Sequence, residues 1–334
     1  MPPAAPAPAA IQNLAPGQWL QLPNTKIRSV LPATAQPGDP TAIVLAWSGG
    51  TVDTNRNRLL VWGGGHSDYA GNEVYAVDLP SMSIKRIVEP SSYTSQSSCT
   101  SSLADGSPVA RHTYDAMTYI EHADRMFEVN GSMYSCGWAD PATWTRSFAT
   151  NTWQKMIAQS PMGDLGTMAV YDAATKLVYV KSLADFYSYS LESNSYTKLN
   201  STSMNVDYHL SADIDSKRRK FVMIGDGVQV VDLATKTMTT IATTNAPSFV
   251  TSRQSPGIAY DPVADRIVAW HGGSGVYALN MDTKAWTQVA TNAGPTSAAP
   301  YQGTFGRWGY VPQYRVFVLI NSIDENAWVF KLTN

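Results

Sequence analysis

The side chains in this chain best suited to chemistry are its five histidines, His66, His112, His122, His209 and His271. Imidazole is the group that most readily takes and returns a proton near neutral pH. Three of the five stand beside other functional groups. Arg111 precedes His112, and Tyr208 precedes His209. His66 lies in a glycine-rich run, Gly63-GGHSDYAGN, where Tyr69 and Asn72 follow it at intervals of three. Arg253, and Arg307 with Trp308, add cations and an aromatic surface, as do Tyr134 and Trp138. Imidazole, phenol and guanidinium together can move protons and neutralise a carboxylate without a pair of acidic side chains.

Other chemistries lack their residues. There is no His-Glu-x-x-His, no Cys-x-x-Cys and no acidic calcium loop, so neither a metal nor a cofactor is expected. The Gly63 run precedes a strand-like stretch rather than a helix, which argues against a phosphate cradle. Gly-x-Ser-x-Gly is absent, which argues against an esterase. Cys99 and Cys136 are too few to build a disulfide-framed fold but enough for one staple.

Composition narrows the setting. The chain has 334 residues, with 24 Lys and Arg against 26 Asp and Glu, for a net charge of −2. That balance carries no polybasic footprint for nucleic acid or an anionic membrane. Charged residues are only 15%, against about 25% in ordinary globular proteins. With 44% hydrophobic residues, 10 Trp and 17 Tyr, a core is affordable and disorder is not expected. No stretch reaches the roughly 20 apolar residues that span a bilayer. Met1–Ala10 lacks the charged and apolar regions of a signal peptide. Residues 1–16 read as a Pro/Ala-rich spacer ahead of one domain at 17–334.

What must position the histidines is a repeat. A basic residue opens a short apolar run six times: Arg58-LLVWGGG, Arg125-MFEVNGS, Lys176-LVYVKSL, Lys220-FVMIGDG, Arg266-IVAWHGG and Arg315-VFVLINS. The anchors are 67, 51, 44, 46 and 49 residues apart, and a polar turn and another strand-like stretch precede each. Alternating stretches follow, such as Val74-YAVDL and Val276-YALNM, each with a large apolar residue five positions beyond its own last apolar residue. The pairs are Leu79/Ile84, Phe148/Trp153, Leu191/Tyr196, Leu233/Met238 and Met281/Trp286. A sixth pair would need position 337, and Gln18-WLQL, like Ala285-WTQV, supplies the strand from the other end. Six four-stranded units closed this way describe an all-β propeller, not a β-sandwich or β-helix. The blades read as 44–89, 111–156, 165–199, 207–241, 256–289, and 303–334 with 17–22. A seventh blade would have to hide in 90–110.

An apolar strand ending in Gly-Gly, then Val-Tyr-Ala with Asp or Asn, then Trp-Thr-Gln, resembles the kelch repeat. Trp62-GGGHSDYAGNEVYAVDL and Trp270-HGGSGVYALNMDTKAWTQV carry it best, and the other blades lose the double glycine. Kelch-like propellers include galactose oxidase, polysaccharide lyases such as those acting on ulvan, and non-enzymatic interaction domains, so the fold does not choose the function.

Propeller geometry sorts the candidates by face. Loops joining second to third strands, and blade to blade, share one rim. His66, His112, His209 and His271 map there with Arg111, Tyr69, Asn72, Tyr208, Arg253, Arg307 and Trp308, while His122 falls on the opposite face. Cys99 and Cys136 map to adjacent segments of the same rim. A bond between them would close a loop of about 36 residues, worth roughly 4 kcal/mol by chain entropy, and would imply an oxidising compartment. The expected protein is a monomeric, secreted or periplasmic lyase that cleaves a uronate-containing polysaccharide by β-elimination. His66, His112, His209 and Tyr208 are its catalytic groups, and the remaining rim residues bind substrate. A glycan- or protein-binding propeller is the alternative from another class. A glycoside hydrolase would need a carboxylate pair, for which Asp68, Asp207 and Asp226 are available. A copper radical oxidase would need a cysteine outside any disulfide.

Overall fold

Every polar turn between the first two strands of a repeat closes on a residue in the left-handed region. These are Asn57, Asp124, Lys176, Arg219, Asp265 and Arg315, with φ between 53° and 58°. Five of the outer turns do the same, at Met82, Asn151, Asn194, Lys236 and Lys284. Asn, Asp and flexible basic residues tolerate that conformation, and it lets a short turn reverse a strand in register. The recurring basic anchors therefore mark where each second strand begins.

The computed structural model describes residues 5–92, 99–201 and 208–334, and within them six four-stranded antiparallel sheets form a β-propeller. Blade one comprises Gly50–Asp53, Arg58–Val61, Val74–Asp78 and Ser83–Val88. Blade two comprises Thr118–Ile120, Arg125–Val129, Thr143–Ser147 and Thr152–Ile157. Blade three runs from Met168–Asp172 to Ser195–Asn200, blade four from Ser211–Asp215 to Met238–Ile241, and blade five from Gly257–Asp261 to Ala285–Val289. Blade six has Trp308–Val311, Val316–Leu319 and Trp328–Phe330, and its outermost strand is Trp19–Gln21. The start of blade one differs from expectation. Ala42–Leu45 forms a helical turn, so the first strand starts at Gly50, not at 44. Between Glu89 and Ala110 no described residue belongs to a strand of a seventh blade.

The inner strands pack side by side around a ring, and blade six meets blade one. The approach is close: a Cβ on Gly306 would overlap the Gly50 carbonyl oxygen, and one on Gly257 would overlap Trp308. Side chains bridge the channel inside the ring. Asp115, on the segment entering blade two, accepts the Ala212 N–H of blade four at 2.6 Å and a further bond from the Gly306 main chain of blade six. Its own carbonyl accepts the Ala169 N–H of blade three at 2.9 Å. Burial holds the Asp115 carboxyl well above the usual carboxylate range. Below it the channel opens as a cavity of about 310 Å³ facing the turns between first and second strands.

The sixth sheet joins distant parts of the chain. Trp19 lies opposite Phe330 and Gln21 opposite Trp328, and the Trp19 ring meets Trp308 and Phe330 at 5.7 and 4.9 Å. Ahead of this strand, Ile11 and Leu14 are buried with Ile27, Val44 and Val329. Deleting residues 1–22 removes a paired strand, an aromatic stack and those two contacts. The truncated protein is expected to be insoluble or to lose much of its Tm; an unchanged Tm would show that closure does not need this strand.

Candidate functional site

Three of the rim histidines converge. The chain enters blade two through Arg111–His112, which pairs with Ser132–Met133 as a small separate ribbon above the inner strand. His66 reaches the same place from the blade-one loop. Its carbonyl accepts the Ser135 N–H at 2.5 Å, and its Nδ1 lies 3.4 Å from Ser132 Oγ. The loop can lie there because position 65 carries no side chain: a Cβ on Gly65 would overlap the Arg111 backbone. The His66 and His112 rings are 5.8 Å apart. Trp47 stands between this pair and blade four, with its ring 5.2 Å from His112 and its Nε1–H directed at His209 Nε2, 3.4 Å away. Tyr208 stacks on His209 at 4.8 Å and approaches Tyr114 at 5.8 Å.

The floor of this mouth is conformationally unusual. Trp47, His66, Tyr114 and Phe305 all have positive φ, between 44° and 50°. For bulky side chains this is strained backbone, held only where the surroundings over-determine it, and such residues gather at functional sites. Trp47, Tyr114 and Phe305 each sit three or four residues before an inner strand, on blades one, two and six. A bond from the Tyr114 N–H to the Trp47 carbonyl at 2.7 Å locks two of them together.

His112 is the best-defined group. Its Nε2 is 2.7 Å from Asp68 Oδ2, so in the neutral ring with a proton on Nε2, Nδ1 keeps the basic lone pair. Burial lowers its pKa below 6.5, with the Asp68 hydrogen bond and charge opposing the shift. The neutral, proton-accepting form therefore persists into mildly acidic solution. Burial raises the Tyr114 phenol, which stays protonated. His66 is exposed and Tyr208 is 37% exposed, so both face incoming solute. Trp138, 72% exposed, follows Gly137, on which a Cβ would crowd the His66 ring.

Other expected site residues are built into the scaffold instead. Arg111 is fully buried, ion-paired with Asp140 and bonded to the Val109 and Asn130 carbonyls. Arg307 is also buried and donates to the carbonyls of Ser48, Ile320 and Gly303. Trp308 stacks on Phe317 at 4.7 Å with its N–H on the Val268 carbonyl. Tyr69 donates to Glu73 at 2.5 Å, and Asn72 spends its amide on Ser91, Ser107 and Pro108. These five belong beneath the rim, not on it: each side chain is turned inward onto a buried carboxylate, carbonyl, hydroxyl or aromatic partner. His271 is on Phe249 at 5.2 Å, apart from the other three, with its pKa lowered by burial. Arg253 keeps 40% of its side chain exposed, 3.6 Å from Asp226, on a loop whose Ser255 N–H donates to the His209 carbonyl. His122 bonds Tyr171 on the opposite face.

Cys99 and Cys136 form a disulfide with Cα atoms 5.2 Å apart. It ties the segment carrying Leu103 and Val109 to Met133, one residue beyond Ser132, which faces His66. No cysteine remains free for a thioether crosslink. Of the carboxylates considered for hydrolysis, Asp68 is engaged by His112 and Asp226 by Arg253, while Asp207 lies outside the described residues. Among the described residues no group of three or more His, Cys, Asp and Glu is arranged to hold a metal, and no helix is long and apolar enough to cross a membrane. The chain matches no known family model and no curated protein.

Trp47, Tyr114 and Asp68 had no place in the expected catalytic set. An aromatic recurring three or four positions ahead of an inner strand was the available signal for the first two.

Asp68→Asn removes the charge that supports the His112 imidazolium, so the His112 pKa should fall further below 6.5, read by NMR titration of the ring. Because the folded pKa lies below the unfolded one, stability is complete above pH 6.5 and is lost as pH falls through the folded value. The variant should lose more of its stability on acidification than the wild type. An unmoved titration would show that Asp68 does not act on His112.

Proposed function

We propose that the protein is a polysaccharide lyase that cleaves a uronate-containing glycan by β-elimination at the mouth formed by Trp47, His66, His112, Tyr208 and His209. The observation that carries the reading is the convergence of three imidazoles and two phenols on one tryptophan, with one imidazole oriented by a carboxylate and kept neutral. Elimination needs a base for the proton on C5, an acid for the oxygen on C4, and a cation at the carboxylate. His112 is the base through Nδ1. Tyr208 gives its proton to the departing oxygen as the C4–O bond breaks and the C4–C5 double bond forms, and His112 then returns a proton to the phenolate through solvent. With Arg111 and Asn72 committed to the scaffold and Arg253 paired with Asp226, the exposed His66 in its protonated form is assigned to the carboxylate. His209, held by Trp47, positions Tyr208.

The kelch-like strand pattern and the exposed Trp138 support a sugar ligand, since an indole face stacks on a pyranose. Trp138 also favours the second reading, a propeller that binds glycan without cutting it. The disulfide supports residence in an oxidising compartment.

Incubation with a panel of uronate polysaccharides, followed by the ultraviolet absorbance of unsaturated sugar, tests the reading. His112→Ala and Tyr208→Phe should each lower turnover by at least about a hundredfold, the usual scale for losing a general base or acid, and His66→Ala and His209→Ala should lower it less. His122→Ala should leave turnover nearly unchanged. Reducing ends without absorbance would mean hydrolysis. Binding without either product would mean a lectin-like role.

A further inference from the structure

A second polar site lies on the flank of the ring, between the outer strands of blades one and two. There a cavity of about 350 Å³ has two unlike walls. On one side Asn72, Ser91, Ser107 and Asp105 form a closed network. The Asn72 amide donates to both serines at 3.0 Å, the serine hydroxyls are 2.6 Å apart, and Ser107 ends the chain on Asp105 at 2.6 Å. On the other side are Arg146 and Trp153. Arg146 is 4% exposed and donates to Asn151 through Nη2, with its guanidinium 5.7 Å from the Trp153 ring centre. Neither Arg146 Nε nor Trp153 Nε1 has a hydrogen-bond partner, although both atoms are buried.

A buried guanidinium is ordinarily paired, because an uncompensated charge away from water is costly. Arg111, one blade-width away in sequence terms and equally buried, has Asp140; Arg307 has three carbonyls. Arg146 has no carboxylate partner among the described residues, and burial alone lowers its pKa to about 10. Two donors with no acceptor, one of them charged, line the same cavity. From this we infer that the cavity between blades one and two is a binding site for an oxyanion, a carboxylate or sulfate carried by a small acidic molecule, held by Arg146 with Trp153 Nε1 as the second donor. The facing wall presents the Ser91 and Ser107 hydroxyls and the Asp105 carboxylate, and Glu89, ion-paired with Arg86, also lines the cavity, acceptors suited to the hydroxyl-bearing rest of a sugar acid. The site is separate from the histidine mouth and does not depend on how that mouth acts.

The test is isothermal titration of the whole protein with sodium glucuronate, sodium sulfate and glucose. Glucuronate is expected to bind with an affinity reduced at least tenfold in Arg146→Met and severalfold in Trp153→Phe, and with His66→Ala retaining the Arg146-dependent event. Sulfate binding with the same Arg146 dependence, without glucuronate binding, would define the ligand as a simple oxyanion. Arg146→Met removes an unpaired buried charge and should raise Tm in the absence of ligand. If it fails to fold, Trp153→Phe decides alone. Equal binding of both anions to wild type and variants, or none to wild type, overturns the assignment, whatever the outcome of the lyase assay.

Discussion

Everything at the mouth depends on the pairing of Trp19–Gln21 with Trp328–Phe330. A row of blades without that pairing ends in an open sheet edge, and the inner strands have no reason to curve back upon themselves. With the pairing made, blade six must lie against blade one, and the entry segments of blades one, two and six come within bonding distance. The Tyr114–Trp47 main-chain bond, and the bond from Arg307 Nε to the Ser48 carbonyl, follow from closure and not from local sequence preference. The three strained aromatic positions are held by the same contacts. Long-range β-pairing thus stores at the mouth the conformations that isolated loops would relax.

Much of the architecture was legible because a strand, a polar turn and a second strand are all local. The basic anchors and the offset of five across the outer turn each state a pairing within some twenty residues. The offset reflects a hairpin in which Val77 faces Ile84 and Leu279 faces Trp286, each two residues before the first member of the pair seen in sequence. Face sorting brought His66, His112 and His209 together for the same reason: loop position follows from strand order. Burial did not follow. Whether Arg111 looks outward is decided by Asp140 on another loop, and whether Tyr69 does is decided by Glu73 and by what covers both. Those are facts of packing that residue type alone leaves open.

The contrast among the arginines is instructive. Arg111 is neutralised by a carboxylate, Arg307 is solvated by carbonyl dipoles, Arg253 meets Asp226 while staying partly exposed, and Arg146 has one amide oxygen. One residue type has four different physical situations within one fold, three of them at positions read in sequence as ligand contacts. Only exposure or an incomplete set of partners separates the groups able to act on a solute from those that hold the frame.

Asp115 has one more consequence. By reaching from blade two to the backbones of blades four and six, its carboxyl spans the ring between the histidine mouth and the cavity on the opposite face. A solute that reaches the histidines does so from the rim side. Traffic is one-sided, and access depends on the breadth of the rim loops, with the Cys99–Cys136 staple among them, rather than on the bore of the ring.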